Sequence, residues 1–398
     1  MRNLLGTLLA VAGLVAGVSH AQLPEDYGPE PVGKRSVSFS HPLSGNNTVS
    51  ADVFYPALSA GQNAPPNIAD GPYPLVAFLH GYFAPPSFYS DLTTHIASYG
   101  FVVVAVSTET GFFQNIQDLA HDSHALLHWA DEQGANPASF LWNMPSDGPW
   151  SAVGHSNGAA AIFYTLAWED RIEYIVSTEG NWFNIPTVGQ FDGSFFSIGS
   201  SEDFLTPPNS NARRYYLEAH SAPRRSYALI LGGGHNGSLD FPSSIHSLSH
   251  SEQNRLHRRM VTGFLRAEVQ GEENLYTYLI GAGVLTEPIN RETMCTRPVL
   301  WVDHDGGQPG TLNAGMAAMP GDTVTLGWSR GNEMQTLGQG VAGLSGLVFH
   351  TAQVSASGVN EVPTALPTGL SGASLNVRGL RNAGTNWAYT RSARIQVP

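Results

Sequence analysis

The sequence predicts an α/β protein with a mainly parallel sheet covered on both faces, followed by a β-rich accessory domain. Three observations carry this reading. Residues 74–79 and 101–106 are continuous apolar runs of strand length, as expected of central strands with both faces buried. Amphipathic helical segments alternate with such runs as far as about residue 270. Between the apolar run 150–153 and the alanine-rich run 159–168 stands Gly154-His155-Ser156-Asn157-Gly158. A G-x-S-x-G pattern set between strand and helix reads as a sharp turn that raises a serine above a sheet edge.

The remaining elements follow in order. Residues 36–40 and 49–55 alternate apolar and polar positions and read as opening antiparallel strands. Residues 60–74, rich in Pro, Gly and Asn, read as loop. Helical periodicity covers 88–99, 115–132, 209–220 and 251–268, and further strands are expected at 174–177, 195–199 and 227–231. After residue 270 helical pattern largely stops and Gly, Thr and Ser rise. Residues 298–302, 323–328, 346–354 and 391–397 read as strands, so 22–270 is assigned as the α/β domain and 271–398 as the accessory domain. Carbohydrate binding, polymer adsorption and structural packing are open roles for the latter.

A serine hydroxyl is a weak nucleophile at neutral pH and needs a base, itself oriented by a third group. After Ser156 the chain offers both, in the order acid then histidine that α/β-hydrolases use. Asp203 follows the strand run 195–199, with Glu202 beside it as competitor and Glu179, after the earlier strand, as a second. His235 follows three glycines after the run 227–231 and is the best placed of the 15 histidines to act as base. An oxyanion hole needs two amides. Asn157 supplies one, and Tyr82, in His80-Gly81-Tyr82 after the run 74–79, supplies the other.

These residues resemble the bacterial cutinases and polyethylene terephthalate hydrolases over roughly residues 35–265. The spacing of Ser156, Asp203 and His235, the Gly-His-Ser-x-Gly elbow and the segment Glu202-Asp203-Phe204-Leu205-Thr206-Pro207 carry the resemblance. It implies a serine ester hydrolase acting through an acyl-enzyme on cutin-like or synthetic polyesters, with no cofactor. It also implies that Tyr82 and Trp182 flank the bound substrate, although a tryptophan near a strand end more often serves packing. Dienelactone-hydrolase-like, chlorophyllase-like and platelet-activating-factor acetylhydrolase-like esterases share the framework, and in the last the acid follows the earlier strand, where Glu179 stands. The chain departs from the cutinase pattern in three places. Asn157 replaces a common methionine, a single Cys295 rules out the internal disulfide, and a long loop at 136–148 carries Trp142 and Met144 beside the elbow, where it could reshape the cleft. A small-ester carboxylesterase or lipase is the alternative within the class. A binding or adhesion protein with a silent hydrolase domain is the alternative outside it.

Residues 1–21 read as a secretory signal peptide, with Arg2, an apolar core and Ser19-His20-Ala21 before the cleavage site. The mature chain is therefore expected to be secreted and monomeric. Net charge is −13, charged residues are 13% of the chain, and Lys34 is the only lysine. That balance argues against nucleic acid or an anionic membrane as partner and suits an ester or polyester substrate. Cys295 is expected to be a buried thiol. His121, His124 and His128 share one helix face but lack the H-E-x-x-H pattern, so they are read as a partly exposed face and no metal is assigned. His246, His250 and His257 receive the same reading. Asp303-His304-Asp305-Gly306-Gly307 resembles half a calcium loop without its later ligands. Asn46-Asn47-Thr48 and Asn236-Gly237-Ser238 match the glycosylation pattern alone.

Overall fold

The computed structural model describes residues 23–46, 48–241, 245–303, 311–330, 336–337, 340–341, 348–365, 374–383, 386–390 and 393–396. Residues 1–21, read from sequence as a signal peptide, and 304–307 of the calcium-like loop lie outside the described residues; of the first sequon Asn47 does, while the Asn46 side chain donates to Asp122 at 2.7 Å. A ten-stranded sheet forms the centre. It opens with β1 (Val32–Phe39), β2 (Val49–Pro56) and the two-residue β3 (Gly61–Gln62). It continues through β4 (Leu75–Leu79), β5 (Val102–Val106), β6 (Trp150–His155), β7 (Ile172–Thr178), β8 (Ser194–Ser200) and β9 (Arg224–Ile230). The tenth strand is β10 (Ile289–Cys295). The spatial order is β10-β9-β8-β7-β6-β4-β5-β2-β1-β3. Strands from β5 through β4 to β9 run parallel, and β2 and β10 flank them antiparallel.

The apolar runs are continuous because each strand feeds two cores. Leu75, Ala77 and Leu79 of β4 face one side, while Val76 and Phe78 face the other. Val102, Val104 and Val106 of β5 divide from Val103 and Ala105 in the same way, as the two-residue period of a strand requires. On the first side lie α2 (Ile116–Gly134), α3 (Asn157–Thr165) and α5 (Ala212–Glu218). On the second lie α1 (Ser90–Ala97) and α6 (His250–Val269). The short α4 (Thr187–Gln190) precedes β8, and α7 (Tyr276–Leu279) follows α6. Asn115 caps α2 through its side-chain oxygen and Ser249 caps α6, the residue types that satisfy orphan amides at a helix start. No helix among the described residues is long and apolar enough to cross a membrane.

Residues 271–288 pack on α6 through α7, and β10 then joins the central sheet beside β9, although the sequence reading placed it in the accessory region. Its alternation is weak, with Asn290, Arg291 and Glu292 in succession, so no strand was expected there. Cys295, at its end, is a buried free thiol, and burial pushes its pKa up to about 11. Beyond it, β11 (Val299–Asp303), β12 (Thr311–Ala317) and β17 (Val359–Ala365) form one antiparallel sheet. A second contains β13 (Thr323–Arg330), β16 (Val348–Gln353), β18 (Ser374–Ala383), β19 (Asn386–Tyr389) and β20 (Ala393–Gln396). A two-residue pair, β14 (Thr336–Leu337) and β15 (Gly340–Val341), stands apart. Val299 and Trp301 of β11 join the core of α6 and α7, whereas Leu300 and Val302 face the second sheet. β11 is thus buried on both faces.

A buried ion pair ties α6 to the sheet. Arg224, at the start of β9, reaches both carboxylate oxygens of Glu268 at 3.1 and 3.2 Å. Ser194 and Tyr276 also donate to that carboxylate. Removing Glu268 leaves the buried Arg224 with Glu273 alone, at 3.4 Å, so Glu268→Ala is expected to cost about 3 kcal/mol. Urea unfolding of the variant beside the parent checks this; a loss below about 1 kcal/mol would mean water reaches the Arg224 side chain.

Candidate active site

Ser156 follows β6 and caps α3 with φ 55° and ψ −119°, a region that non-glycine residues occupy only under constraint. The constraint is steric closeness. A Cβ on Gly154 would lie 2.6 Å from the Gly158 carbonyl, and one on Gly158 would lie 2.1 Å from the Leu79 oxygen. Both glycines are required for α3 to start against β4, as the elbow motif implies.

The three residues singled out as a triad come together. His235 Nε2 lies 3.0 Å from Ser156 Oγ, and His235 Nδ1 lies 2.8 Å from Asp203 Oδ2. Asp203 Oδ1 accepts the amides of Leu205 at 2.9 Å and Thr206 at 2.8 Å, and the Thr206 hydroxyl donates to Oδ2 at 2.6 Å. Burial works to raise this carboxyl, but the bonds from His235 and Thr206 hold its pKa below the ordinary range. Gly232, at φ +76°, turns the chain toward His235 after β9. Glu202 points elsewhere: it accepts the Ser247 amide at 2.8 Å.

Two residues outside the triad fix its geometry. His155 Nε2 lies 2.8 Å from the His235 carbonyl, which can only accept, so that nitrogen carries the proton. His155 Nδ1 then accepts from the Tyr89 hydroxyl at 2.8 Å, and Tyr89 accepts the Gly81 amide at 3.1 Å. Burial first, and the neighbouring His235 second, hold the His155 pKa well below its usual value, so the ring is neutral. This chain links the loop that carries Tyr82 to the loop that carries His235. A second chain runs along the other wall. Asn181 Nδ2 donates to Asn157 Oδ1 at 2.8 Å, and Asn157 Nδ2 donates to Gln114 Oε1 at 2.8 Å. Gln114 Nε2 in turn reaches the Gly81 and Glu109 carbonyls at 3.4 and 3.1 Å.

The cleft above Ser156 has a volume of about 490 Å³ and is lined in part by Tyr82, Phe83, Phe88, Asn157, Leu205 and Phe241. Tyr82 and Phe83 are each 49% exposed, Leu205 73%, and Phe112, whose ring is 4.5 Å from that of Phe83, 70%. An apolar rim of this kind marks a binding surface for apolar material. Trp182 does not line the cleft. Its ring packs edge-on to Tyr215 at 4.8 Å beneath the Arg214 guanidinium, and its amide is held by Asn211, so here it packs against α5. The loop at 136–148 also turns away: Leu141 and Met144 are buried in the first core, and Tyr73 and Pro145 bridge at the opposite end of β4.

Comparison with known proteins supports an ester hydrolase. A chlorophyllase family model matches residues 63–172, a span containing His80-Gly81-Tyr82 and the elbow. Chlorophyllase-1 of Arabidopsis thaliana is 34% identical over 99 residues, 25% of this chain and 30% of that protein. A cutinase of Thermobifida fusca (strain YX) is 22% identical over 236 residues, 58% of this chain and 74% of the relative. Cutinase cut1 of Thermobifida fusca is 25% identical over 238 residues, 58% and 70% of the two chains. The chain thus spans less than a third of the chlorophyllase it matches. The fold is that of an α/β-hydrolase. The likenesses support the serine esterase superfamily without singling out cutinases or polyethylene terephthalate hydrolases within it.

Glu179, the other candidate acid, is engaged elsewhere. At φ 45° it turns under the acid loop, where its carbonyl accepts from Thr206 at 3.1 Å. Its carboxylate faces His257 Nε2 at 3.1 and 3.2 Å and accepts from Ser200 at 2.7 Å. His257, read from sequence as part of an exposed face, is buried and gives its other ring nitrogen to the Gln253 carbonyl at 2.7 Å. Both nitrogens face acceptors, so the ring is an imidazolium. Burial alone would depress its pKa; the Glu179 carboxylate outweighs burial and raises it. A raised folded value contributes stability that is full below the unfolded pKa and is lost as pH rises through the folded one. Glu179→Gln is therefore expected to destabilise the protein most near pH 6, on the order of 3 kcal/mol, with the gap to the parent narrowing toward alkaline pH. Urea midpoints across that range read it, and a constant gap would show that His257 is neutral.

Proposed function

We propose that the protein is a secreted serine ester hydrolase acting on apolar esters, with polyesters of the cutin type as its substrate class. The observation that carries the reading is the unbroken line from Ser156 Oγ through His235 to Asp203, at 3.0 and 2.8 Å. In this reading Ser156 attacks the ester carbonyl while His235 Nε2 takes its proton. The tetrahedral oxyanion lies against the amides of Tyr82 and Asn157, the latter at the start of α3, where the helix leaves amides unsatisfied. Asp203 holds His235 in the tautomer that accepts at Nε2 and stabilises the imidazolium formed. His235 returns the proton to the leaving alcohol, and water repeats the sequence on the acyl-enzyme. No step calls for a cofactor.

The rim supports the substrate class. Tyr82, Phe83, Phe112 and Leu205 give an exposed apolar face beside the nucleophile, which suits a substrate presented as a surface. The cutinases among the relatives support the same class, and a small-ester carboxylesterase or lipase is the alternative. Asn157, tied to Gln114 and Asn181, makes the wall beside the oxyanion site polar. The acyl carbonyl end is thus expected to meet a polar wall and the chain an apolar one.

The test is hydrolysis of p-nitrophenyl esters of increasing acyl length by the full chain, followed by product release from an aliphatic polyester film. Ser156→Ala is expected to lower kcat by at least about a thousandfold; retained turnover would remove Ser156 as nucleophile. Phe83→Ala is expected to raise KM for long acyl esters about fivefold to tenfold and leave short ones unchanged, the worth of part of a ring's burial. Activity on small esters with no release from film would keep the esterase and exclude the polymer. Tyr89→Phe removes the hydroxyl between Gly81 and His155, and kcat is expected to fall roughly tenfold, less than the roughly hundredfold or greater loss on deleting an oxyanion donor outright, with KM little changed. An equal loss in KM would assign Tyr89 to substrate binding.

A further inference from the structure

α2 and the turn between α3 and β7 meet at a cluster that the hydrolase reading does not use. His124 and His128 lie four residues apart on α2 and so share a face. Glu169, in that turn, is buried between them: Oε2 is 3.5 Å from His124 Nε2 and 2.9 Å from His128 Nε2. The three ligand atoms lie within 4.8 Å of one another.

We propose that His124, His128 and Glu169 form a binding site for one borderline divalent transition-metal ion, Zn²⁺ first, with a water as fourth ligand. Two imidazoles and one carboxylate are the donor set that zinc favours. Bond lengths of about 2.0–2.1 Å in a tetrahedron place neighbouring ligand atoms roughly 3.3 Å apart. The two Glu169–histidine separations, 3.5 and 2.9 Å, bracket that edge, and the two imidazole nitrogens, within 4.8 Å of each other, would close on the ion by side-chain rotation. The carboxylate is already divided in the manner a ligand needs. Oε1 faces Arg171, accepting its amide at 2.8 Å with the guanidinium Nε at 3.5 Å, and Oε2 is left to the histidines. The Arg171 charge is itself met by Asp131 at 3.1 Å, so the surroundings of a dication carry a net negative charge.

The rings are held in place by their neighbours. Trp150 meets His128 edge-on at 5.3 Å, and Trp168 lies parallel to His124 at 6.4 Å and to His121 at 3.9 Å. Oriented imidazoles lose less freedom on ligation. The His128 side chain is 31% exposed, whereas His124 and Glu169 are 8% and 4% exposed, so the open side admits water. His41, parallel to His128 at 6.4 Å, turns its Nε2 to Glu132 instead. The place in the fold separates the ion from the cleft. Ser156 follows the C-terminal end of β6, and α3 runs back from it to the turn that holds Glu169, before β7 begins. A metal there would staple α2 to that turn at the end of the parallel strands away from the cleft, independently of the esterase reading.

The experiment titrates tag-free, metal-stripped full chain with Zn²⁺ against a chromophoric chelator and repeats it with Co²⁺, whose visible absorption reports coordination number. One equivalent of Zn²⁺ bound at micromolar Kd or tighter, a higher Tm and an intense four-coordinate Co²⁺ spectrum are expected. His128→Gln, at the half-exposed position, keeps the fold and is expected to weaken binding by more than roughly a hundredfold, beyond the loss seen for outer-shell partners. Glu169→Gln is expected to do the same, and His121→Gln to leave binding unchanged. Absence of stoichiometric Zn²⁺ binding, undiminished binding in His128→Gln, or a weak six-coordinate Co²⁺ spectrum would overturn the site.

Discussion

The approach of α3 to β4 is the constraint on which the site depends. Gly158 brings the helix start to within van der Waals reach of the Leu79 carbonyl, and the candidate catalytic residues are arranged around that contact. It sets Ser156 in its left-handed turn at φ 55°. It also places the Asn157 amide beside the loop that follows Leu79, where Tyr82 stands. A larger residue would separate nucleophile and oxyanion loop together, since one contact positions both. The backbone strain at Ser156 is sustained because the sheet on either side is dry and close-packed, with Val153 and Val176 fully buried.

Around this contact the chain uses hydrogen bonds to lock loops to one another. The route Gly81–Tyr89–His155–His235 joins the oxyanion loop to the histidine loop beneath the cleft, and Gly81–Gln114–Asn157–Asn181 joins the same loop to the far wall. His155 has to be neutral for the first route to work, because only then can one nitrogen accept while the other donates. Burial beside His235 ensures it. His257 is the opposite case: equally buried, it is held charged because Glu179 lies against it. Two buried histidines a few residues from the same triad thus take opposite charge states, set by whether a carboxylate or a second imidazole is the neighbour. The pair Glu179–His257 in turn supports the acid loop, since the Glu179 carbonyl anchors Thr206 and Thr206 anchors Asp203.

Much of this was legible in the sequence, for definable reasons. Strand runs such as 102–106 announce themselves because a strand buried on both faces must be apolar throughout. The elbow announces itself because close approach demands glycine at two fixed positions. Asp203 and His235 were readable because each follows a strand, and parallel strands deliver their C-terminal loops to one edge of a sheet. Tyr89, Gln114 and Asn181 were not, because a side chain that braces a loop carries no spacing of its own. The direction of the Trp182 ring was not readable for a related reason: position after a strand locates the backbone, while the ring direction depends on Tyr215 and Arg214 from α5. The histidines of α2 and α6 were read as exposed faces because helical spacing gives the shared face without giving what packs on it. Glu169 and Glu179, distant in sequence, decide their surroundings.

The C-terminal strands bear on what kind of protein this is. A binding module joined to an enzyme is expected to carry its own core and to meet the enzyme through a polar surface. Here β11 is buried on both faces. Val299 and Trp301 complete the core beneath α7, and the indole nitrogen of Trp301 donates to Glu361 of β17 at 2.9 Å, while the same carboxylate accepts the Ala282 amide of the segment after α7. Before it, β10 is itself the edge of the central sheet and covers β9, which delivers His235. Detaching the accessory strands would expose Trp301 and strip neighbours from the strand that leads to the base. β10 and β11 therefore belong to the packing of the hydrolase core, while the strands beyond them also share a core of their own, with Met316, Leu326 and Val377 in it.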